Sequence, residues 1–275
     1  MPSIVARRPA PDGTDLLHRH WAATGTAWAR LLLVHGLAEH SGRYEHVGEQ
    51  LAGAGIEVHA ADQRGFGGSG GRRAWVDRWS QLHDDIEHRI AALRGEAPAL
   101  PVVLYGHSLG GLISLGYVLD GRSLPDALVL SAPAVGASIP AWQRALVATL
   151  SRLAPGTRLA NRLPADVLAK SPTVWADYIA DPLNEHRSTA RFGALALAEQ
   201  QRVVAALDRL AIPTLVIHGG DDRLVPTASS ELFESRRGVT RRVYPGVRHE
   251  LHNEPEGEDV LDDVIAWIRA NTKSG

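Results

Sequence analysis

Short, mostly apolar runs that alternate with helical patterns constrain this chain more than any other feature. Ala29–Val34, Ile56–Ala60, Val102–Tyr105, Ala127–Ser131 and Thr214–His218 are the runs. Helical patterns over Glu45–Ala54, Trp79–Arg94 and Leu109–Asp120 lie between the first four. Arg241–Tyr244 and a last helix over Gly257–Arg269 close the series, and Leu16–Trp21 opens it after the turn pair Asp12-Gly13. Strands this short and this apolar belong in the middle of a sheet buried on both faces, and intervening helices make that sheet parallel. The spacing therefore predicts an α/β fold: a mostly parallel central sheet flanked by helices.

The alternation stops between residues 137 and 207, which read as several helices with no strand. Trp142, Leu146, Leu150 and Leu153 form a helical stripe. Pro155, Pro164, Pro172 and Pro182 cut the segment into pieces. It holds eight Arg and Lys against five Asp and Glu, a balance of +3 in a chain of net charge −2. A helical insertion in a βα series is expected to be a cap or lid over the carboxyl edge of the sheet, where open α/β sheets hold ligands. The expected division is a core of residues 1–136 and 208–275 with a cap of 137–207.

Composition excludes whole classes. There is no cysteine, so disulfide frameworks, thiolate metal sites and cysteine nucleophiles are out. A net charge of −2 supplies no basic field for nucleic acid. The N-terminus has Arg7 and Arg8 but no apolar signal region, so a cytoplasmic protein is expected. The basic cap with Trp142 and Trp175 is a candidate for peripheral contact with an anionic membrane surface. Arginines solvating an exposed helical face is the plainer reading. His18/His20 and His249/His252 are close in sequence but lack a metal-binding pattern, so no metal and no cofactor are expected.

Gly106-His107-Ser108-Leu109-Gly110 matches G-x-S-x-G, and so does Gly67-Gly68-Ser69-Gly70-Gly71. Only Ser108 follows a strand and opens a helix, the context a nucleophile elbow requires. A serine hydroxyl needs a base to take its proton and a third group to orient that base. His249 stands after the strand Arg241–Tyr244, and the loop after Thr214–His218 offers Asp221 and Asp222. The chain order Ser, Asp, His is that of the α/β hydrolases. Oxyanion donors are expected from the backbone N–H groups of Leu109 and of Leu37, in the loop after Val34.

These residues sit among longer matches: His35-Gly36-Leu37-Ala38-Glu39-His40-Ser41-Gly42-Arg43-Tyr44, Asp62 to Ser69, Leu130-Ser131-Ala132-Pro133, Asp181-Pro182 and Asp222-Arg223-Leu224-Val225-Pro226. Over nearly its whole length the chain resembles the monoacylglycerol lipases of the α/β-hydrolase superfamily, bacterial type. The resemblance implies an α/β-hydrolase fold and selects Asp222 over Asp221. It makes the stretch holding Ser69 a structural loop. It also implies that Glu39, Arg43, His252 and Tyr178 surround the hydroxyls of glycerol. The implied activity is hydrolysis of a monoacylglycerol, a small-molecule lipid, to fatty acid and glycerol through an acyl-enzyme. A lysophospholipase or a broad carboxylesterase of the same fold is the alternative.

Overall fold

The computed structural model describes residues 1–136, 139–161, 164 and 167–272. Ala137, the expected start of the cap, lies outside them, as do Arg162 and Asp166 among the charges counted for it.

An antiparallel hairpin of β1 (Ile4–Pro9) and β2 (Asp15–Trp21) opens the chain. There follow β3 (Ala29–Val34), α1 (Glu45–Gly53), β4 (Ile56–Ala61), α2 (Ser80–Glu96), β5 (Val102–His107), α3 (Leu109–Val118) and β6 (Ala127–Ser131). Next come α4 (Ala141–Leu153), β7 (Arg158–Ala160), α5 (Pro172–Ala180), β8 (Arg187–Thr189) and α6 (Ala190–Ala206). The chain then returns to the sheet with β9 (Thr214–Gly219), β10 (Val239–Tyr244) and α7 (Gly257–Asn271). The sheet has eight strands in the order β1-β2-β4-β3-β5-β6-β9-β10, parallel from β4 to β10. The apolar runs occupy its centre, as their burial requires. β1 is an exposed edge strand with no apolar run of its own.

Alternation along each strand divides the core in two. Leu31 and Leu33 of β3, with Val103 and Tyr105 of β5, face one layer that includes Val260, Val264 and Ile268 of α7. Leu32 and Val34, with Leu104, face the other, which holds Ile86 and Ile90 of α2 and Leu112 and Leu115 of α3. Successive side chains of a strand point to opposite faces, so one apolar run feeds both layers.

The segment between β6 and β9 departs from expectation in one way. It does contain strands: β7 and β8 pair antiparallel, with Arg158 opposite Thr189 and Ala160 opposite Arg187. Three-residue strands carry no readable alternation; this pair is made by tertiary contacts, among them Thr189 Oγ1 donating to Ala74 O at 2.6 Å. The apolar stripe of α4 faces outward. Trp142 is 66 %, Leu146 44 % and Leu153 80 % exposed, and α4 buries none of its residues.

A polar cluster braces the sheet between β2, β4 and α2. His20 and His59 stand opposite each other in register, rings stacked at 4.5 Å. Glu57 accepts from His20 Nε2 at 2.9 Å and from Arg30 Nε at 2.6 Å. Arg89 donates to His59 Nδ1 at 2.7 Å. Among the described residues, His20, Glu57 and His59 are a group of three with ligand atoms close enough for one ion. The arginine bond argues against that use. An imidazole accepting at Nδ1 keeps its proton on Nε2, the atom a metal would need, and two guanidinium groups already supply positive charge there.

Burial, then the nearby arginine charge, pushes His18 down to about 4; burial is also the main cause holding His59 at about 4. Both are therefore neutral in the folded protein when an unfolded histidine, at about 6.5, begins to protonate. Protons taken up only by the unfolded chain lower stability as pH falls from about 6.5 toward 4, and leave it unaffected above that window. In denaturant titrations, each such histidine should contribute up to about 1.4 kcal/mol per pH unit between pH 6 and 5. His59→Asn, which can still accept from Arg89, should flatten that slope; a slope equal to the parent's would refute the account.

Candidate active site

Ser108 sits between the end of β5 and the start of α3, at φ 52° and ψ −116°. This is the left-handed region, costly for a residue with a side chain, and it persists only where the surroundings enforce it. Here the sheet enforces it. Ser108 N donates to Ser131 O at 2.9 Å, and Ser108 O accepts from Leu112 N at 3.1 Å and Ala134 N at 2.9 Å. The turn is so tight that a Cβ on Gly106 would lie 2.4 Å from Gly110 O, and one on Gly110 would lie 2.1 Å from Val34 O. The two glycines of the motif are there for clearance. Ser69, in the second match, is locked elsewhere: its Oγ donates to Asp62 O at 2.6 Å and accepts from Leu17 N at 2.9 Å.

Three side chains from three strand ends converge in a buried chain of hydrogen bonds. His249 Nε2 lies 2.9 Å from Ser108 Oγ, and His249 Nδ1 lies 2.7 Å from Asp222 Oδ2. Asp222 Oδ1 accepts from the backbone N–H groups of Leu224 and Val225 at 2.8 and 2.9 Å, and His218 Nε2 stands 3.1 Å from Oδ2. Burial alone would raise the Asp222 carboxyl. The facing His249 and the donors from His218, His249 and Val225 outweigh it and hold the group well below the usual carboxylate range. His218 carries no motif signal in the sequence; only the turn after β9 brings it to Asp222. Asp221 is exposed. His107, whose ring centre is 4.9 Å from that of His249, is pushed down to about 3 by burial and then by His249, so it stays neutral. Such a chain can take the Ser108 proton onto His249 while a fixed carboxylate stabilises the imidazolium.

Ser108 opens into a cavity of about 200 Å³. Leu109, Leu112, Leu168, Ala196, Leu224 and Val225 make its apolar part. Leu37 and Leu109 both line it beside Ser108, and among the described residues neither backbone N–H has a hydrogen-bond acceptor. Its polar lining includes Glu39, Arg43, Tyr178 and Glu250. Glu39 Oε1 accepts from Gly36 N at 2.5 Å and from Tyr44 Oη at 2.6 Å, so it also holds the loop of Leu37. Although burial would raise it, Arg43 and the neighbouring imidazoles and Tyr44 hydroxyl bring Glu39 down to about 2. The Tyr178 hydroxyl is buried without a partner, and its ring lies 5.1 Å from the Arg43 guanidinium.

Two placements differ from the sequence reading. His252 does not reach this cavity. A short 3₁₀ turn over Leu251–Asn253 turns it behind Tyr44, on which it stacks at 4.8 Å, with both ring nitrogens unpartnered. Glu250, which belongs to no motif, does reach it. The only signal was its place next to His249.

The chain matches the family described as "Serine aminopeptidase, S33" (Hydrolase_4) over residues 25–256. It is 37 % identical to a monoacylglycerol lipase of Mycolicibacterium smegmatis over 93 % of each protein. It is 31 % identical to the human monoglyceride lipase, over 95 % of this chain and 89 % of that one. Among known structures, the monoacylglycerol lipase of Paleococcus ferrophilus superposes with a TM-score of 0.83 at 30 % identity, over 94 % of this chain and 99 % of that one. By sequence and by fold alike, the chain belongs to the Hydrolase_4 (serine aminopeptidase S33) family and to the monoacylglycerol lipases among the α/β hydrolases.

Proposed function

We propose that this protein is a carboxylic ester hydrolase that cleaves monoacylglycerols to fatty acid and glycerol. One observation carries the reading: the Ser108–His249–Asp222 chain opens into a cavity lined by apolar side chains and by a hydrogen-bonded cluster of buried polar groups. Ser108 Oγ attacks the ester carbonyl as His249 Nε2 takes its proton. The Leu37 and Leu109 N–H groups receive the oxyanion, worth about 3–4 kcal/mol per donor in comparable sites. His249 passes the proton to the leaving glycerol oxygen. Water, activated by the same imidazole, then releases the fatty acid, so no cofactor or metal is needed. Glu39, Arg43 and Tyr178 form the end that meets the glycerol hydroxyls.

Residues 137–207 act as the cap of this site. In support, Leu168, Tyr178, Ala196 and Gln200 of that segment line the cavity. Asp181 accepts from His40 Nε2 at 2.8 Å, and Glu185 N donates to Ala38 O at 2.9 Å, tying the segment to the loop after β3. No helix among the described residues is long and apolar enough to cross a membrane. The exposed Trp142, Leu146 and Leu153 of α4, with Arg144 and Arg152 on the same helix, support peripheral contact with a lipid surface.

Ser108→Ala should lower kcat by about 10⁴-fold or more. Ser69→Ala should leave kcat within about threefold and cost roughly 1–3 kcal/mol of stability, because it strands a buried carbonyl and a part-buried N–H. Comparable activity loss in the two variants would dismiss the assignment of the nucleophile. On 1-lauroylglycerol, kcat/KM should exceed that on ethyl laurate by about tenfold, or 1.4 kcal/mol of recognition of the glycerol end. Equal values would leave a broad carboxylesterase, and turnover of an alanyl anilide in preference to both would favour peptidase chemistry. With vesicles containing phosphatidylglycerol, co-sedimentation of the protein should fall at least about fivefold on Trp142→Ser with Leu146→Ser; no binding by the parent protein would end the membrane reading.

A further inference from the structure

The polar end of the cavity holds more negative than positive charge, and Glu250 makes the difference. Arg43 is the one cationic Arg or Lys side chain lining the cavity among the described residues. It faces two carboxylates. Its Nη1 donates to Glu39 Oε2 at 2.5 Å and to Glu250 Oε1 at 2.8 Å, and its Nη2 to Glu250 Oε2 at 2.9 Å. The three side chains are 3 %, 11 % and 3 % exposed for Glu39, Arg43 and Glu250, so water screens them little. Asn253 Nδ2 donates to Glu250 Oε2 at 2.6 Å and fixes the carboxylate in place. One guanidinium against two carboxylates leaves a net −1 from these side chains.

That balance discriminates between head groups. A hydroxyl can donate to a carboxylate lone pair and accept from the unpartnered Tyr178 hydroxyl. A phosphate monoester brings negative charge and mainly acceptors. The guanidinium that would pair with it is already held bidentately by Glu250, and the remaining charge repels it. We propose that Glu250 is a specificity-determining residue: by occupying Arg43 and leaving one uncompensated carboxylate, it admits uncharged polyol head groups and excludes anionic, phosphate-bearing ones. This inference rests on the reading of the cavity's polar end as the alcohol end of an ester site. It separates neutral glycerides from anionic lysophospholipids, which a Ser-His-Asp triad alone does not. The competing account makes Glu250 only a brace between the loop after β10 and Arg43.

The experiment measures kcat/KM of the full chain and of its Glu250→Gln and Glu250→Asp variants. The substrates are 1-lauroylglycerol, 1-lauroylglycerol 3-phosphate and ethyl laurate. The readout is the ratio of neutral to phosphate substrate within each protein, so an overall loss of activity does not enter. The parent should prefer the neutral substrate by about 100-fold or more. Glu250→Gln should shrink that ratio at least about tenfold, and Glu250→Asp, which keeps the charge, should hold it within about threefold. An unchanged ratio in Glu250→Gln, or an equal collapse in Glu250→Asp, overturns the charge filter. Ethyl laurate turned over as well as 1-lauroylglycerol by the parent would count against the glycerol reading and leave the charge ratio still readable. Should Glu250→Gln not fold, product inhibition of the parent decides: glycerol 3-phosphate inhibiting as strongly as glycerol refutes the proposal, and inhibition at least tenfold weaker upholds it.

Discussion

Everything at the candidate site depends on one strained residue held at the edge of a parallel sheet. Ser108 keeps a left-handed backbone because Ser131 O, Leu112 N and Ala134 N hold its peptide groups from three directions. Those partners exist only if β6 lies beside β5 and α3 departs at once. The price of that geometry is paid by packing across the sheet, where β3, β5, β6 and β9 are buried on both faces. The clearance at Gly110, against Val34 O and His35 O, couples the turn to the end of β3 as well. The same β3 end leads into the loop that carries Leu37, so serine and candidate oxyanion donors are placed by neighbouring strands of one sheet.

Electrostatics at the site follows a second rule: buried carboxylates are kept ionised by donors, and buried imidazoles without them are kept neutral. Asp222 has backbone and imidazole donors on both oxygens and remains low despite burial. Glu39 has a backbone N–H, a tyrosine hydroxyl and a guanidinium. His107 and His252, packed against aromatic rings near Arg43, are held down by burial first. The two neutral rings pack on each other, and His107 lies beside His249.

Much of this was legible beforehand, for identifiable reasons. The apolar runs mark the central strands because a strand buried on both faces must be apolar throughout. Ser108 could be separated from Ser69 because an elbow needs a strand before it and a helix after it. What could not be read are features made by contact alone. β7 and β8 are too short to carry a pattern. His218 and Glu250 belong to no motif: the turn after β9 brings His218 to Asp222, and Glu250 meets Arg43 only when the loop after β10 and the loop after β3 come together. His252, aligned by family resemblance, is turned away by a 3₁₀ turn whose direction is not encoded in spacing. The stripe on α4 has the period of a core helix, yet periodicity reports that a face is apolar and not what covers it.

The sequence by itself determined the α/β class, the positions of the central strands and the strand-to-helix context of Ser108; between Asp221 and Asp222 it left the choice to family resemblance. Burial, clearance and chain order act locally or along the chain and leave a trace in residue type. Only the tertiary structure decided which carboxylates share Arg43, which side chains face the cavity and how much of the segment between β6 and β9 is left exposed. Those outcomes depend on distances between residues more than two hundred positions apart, such as Arg43 and Glu250. No local propensity sets such a distance; the packing of the whole sheet does.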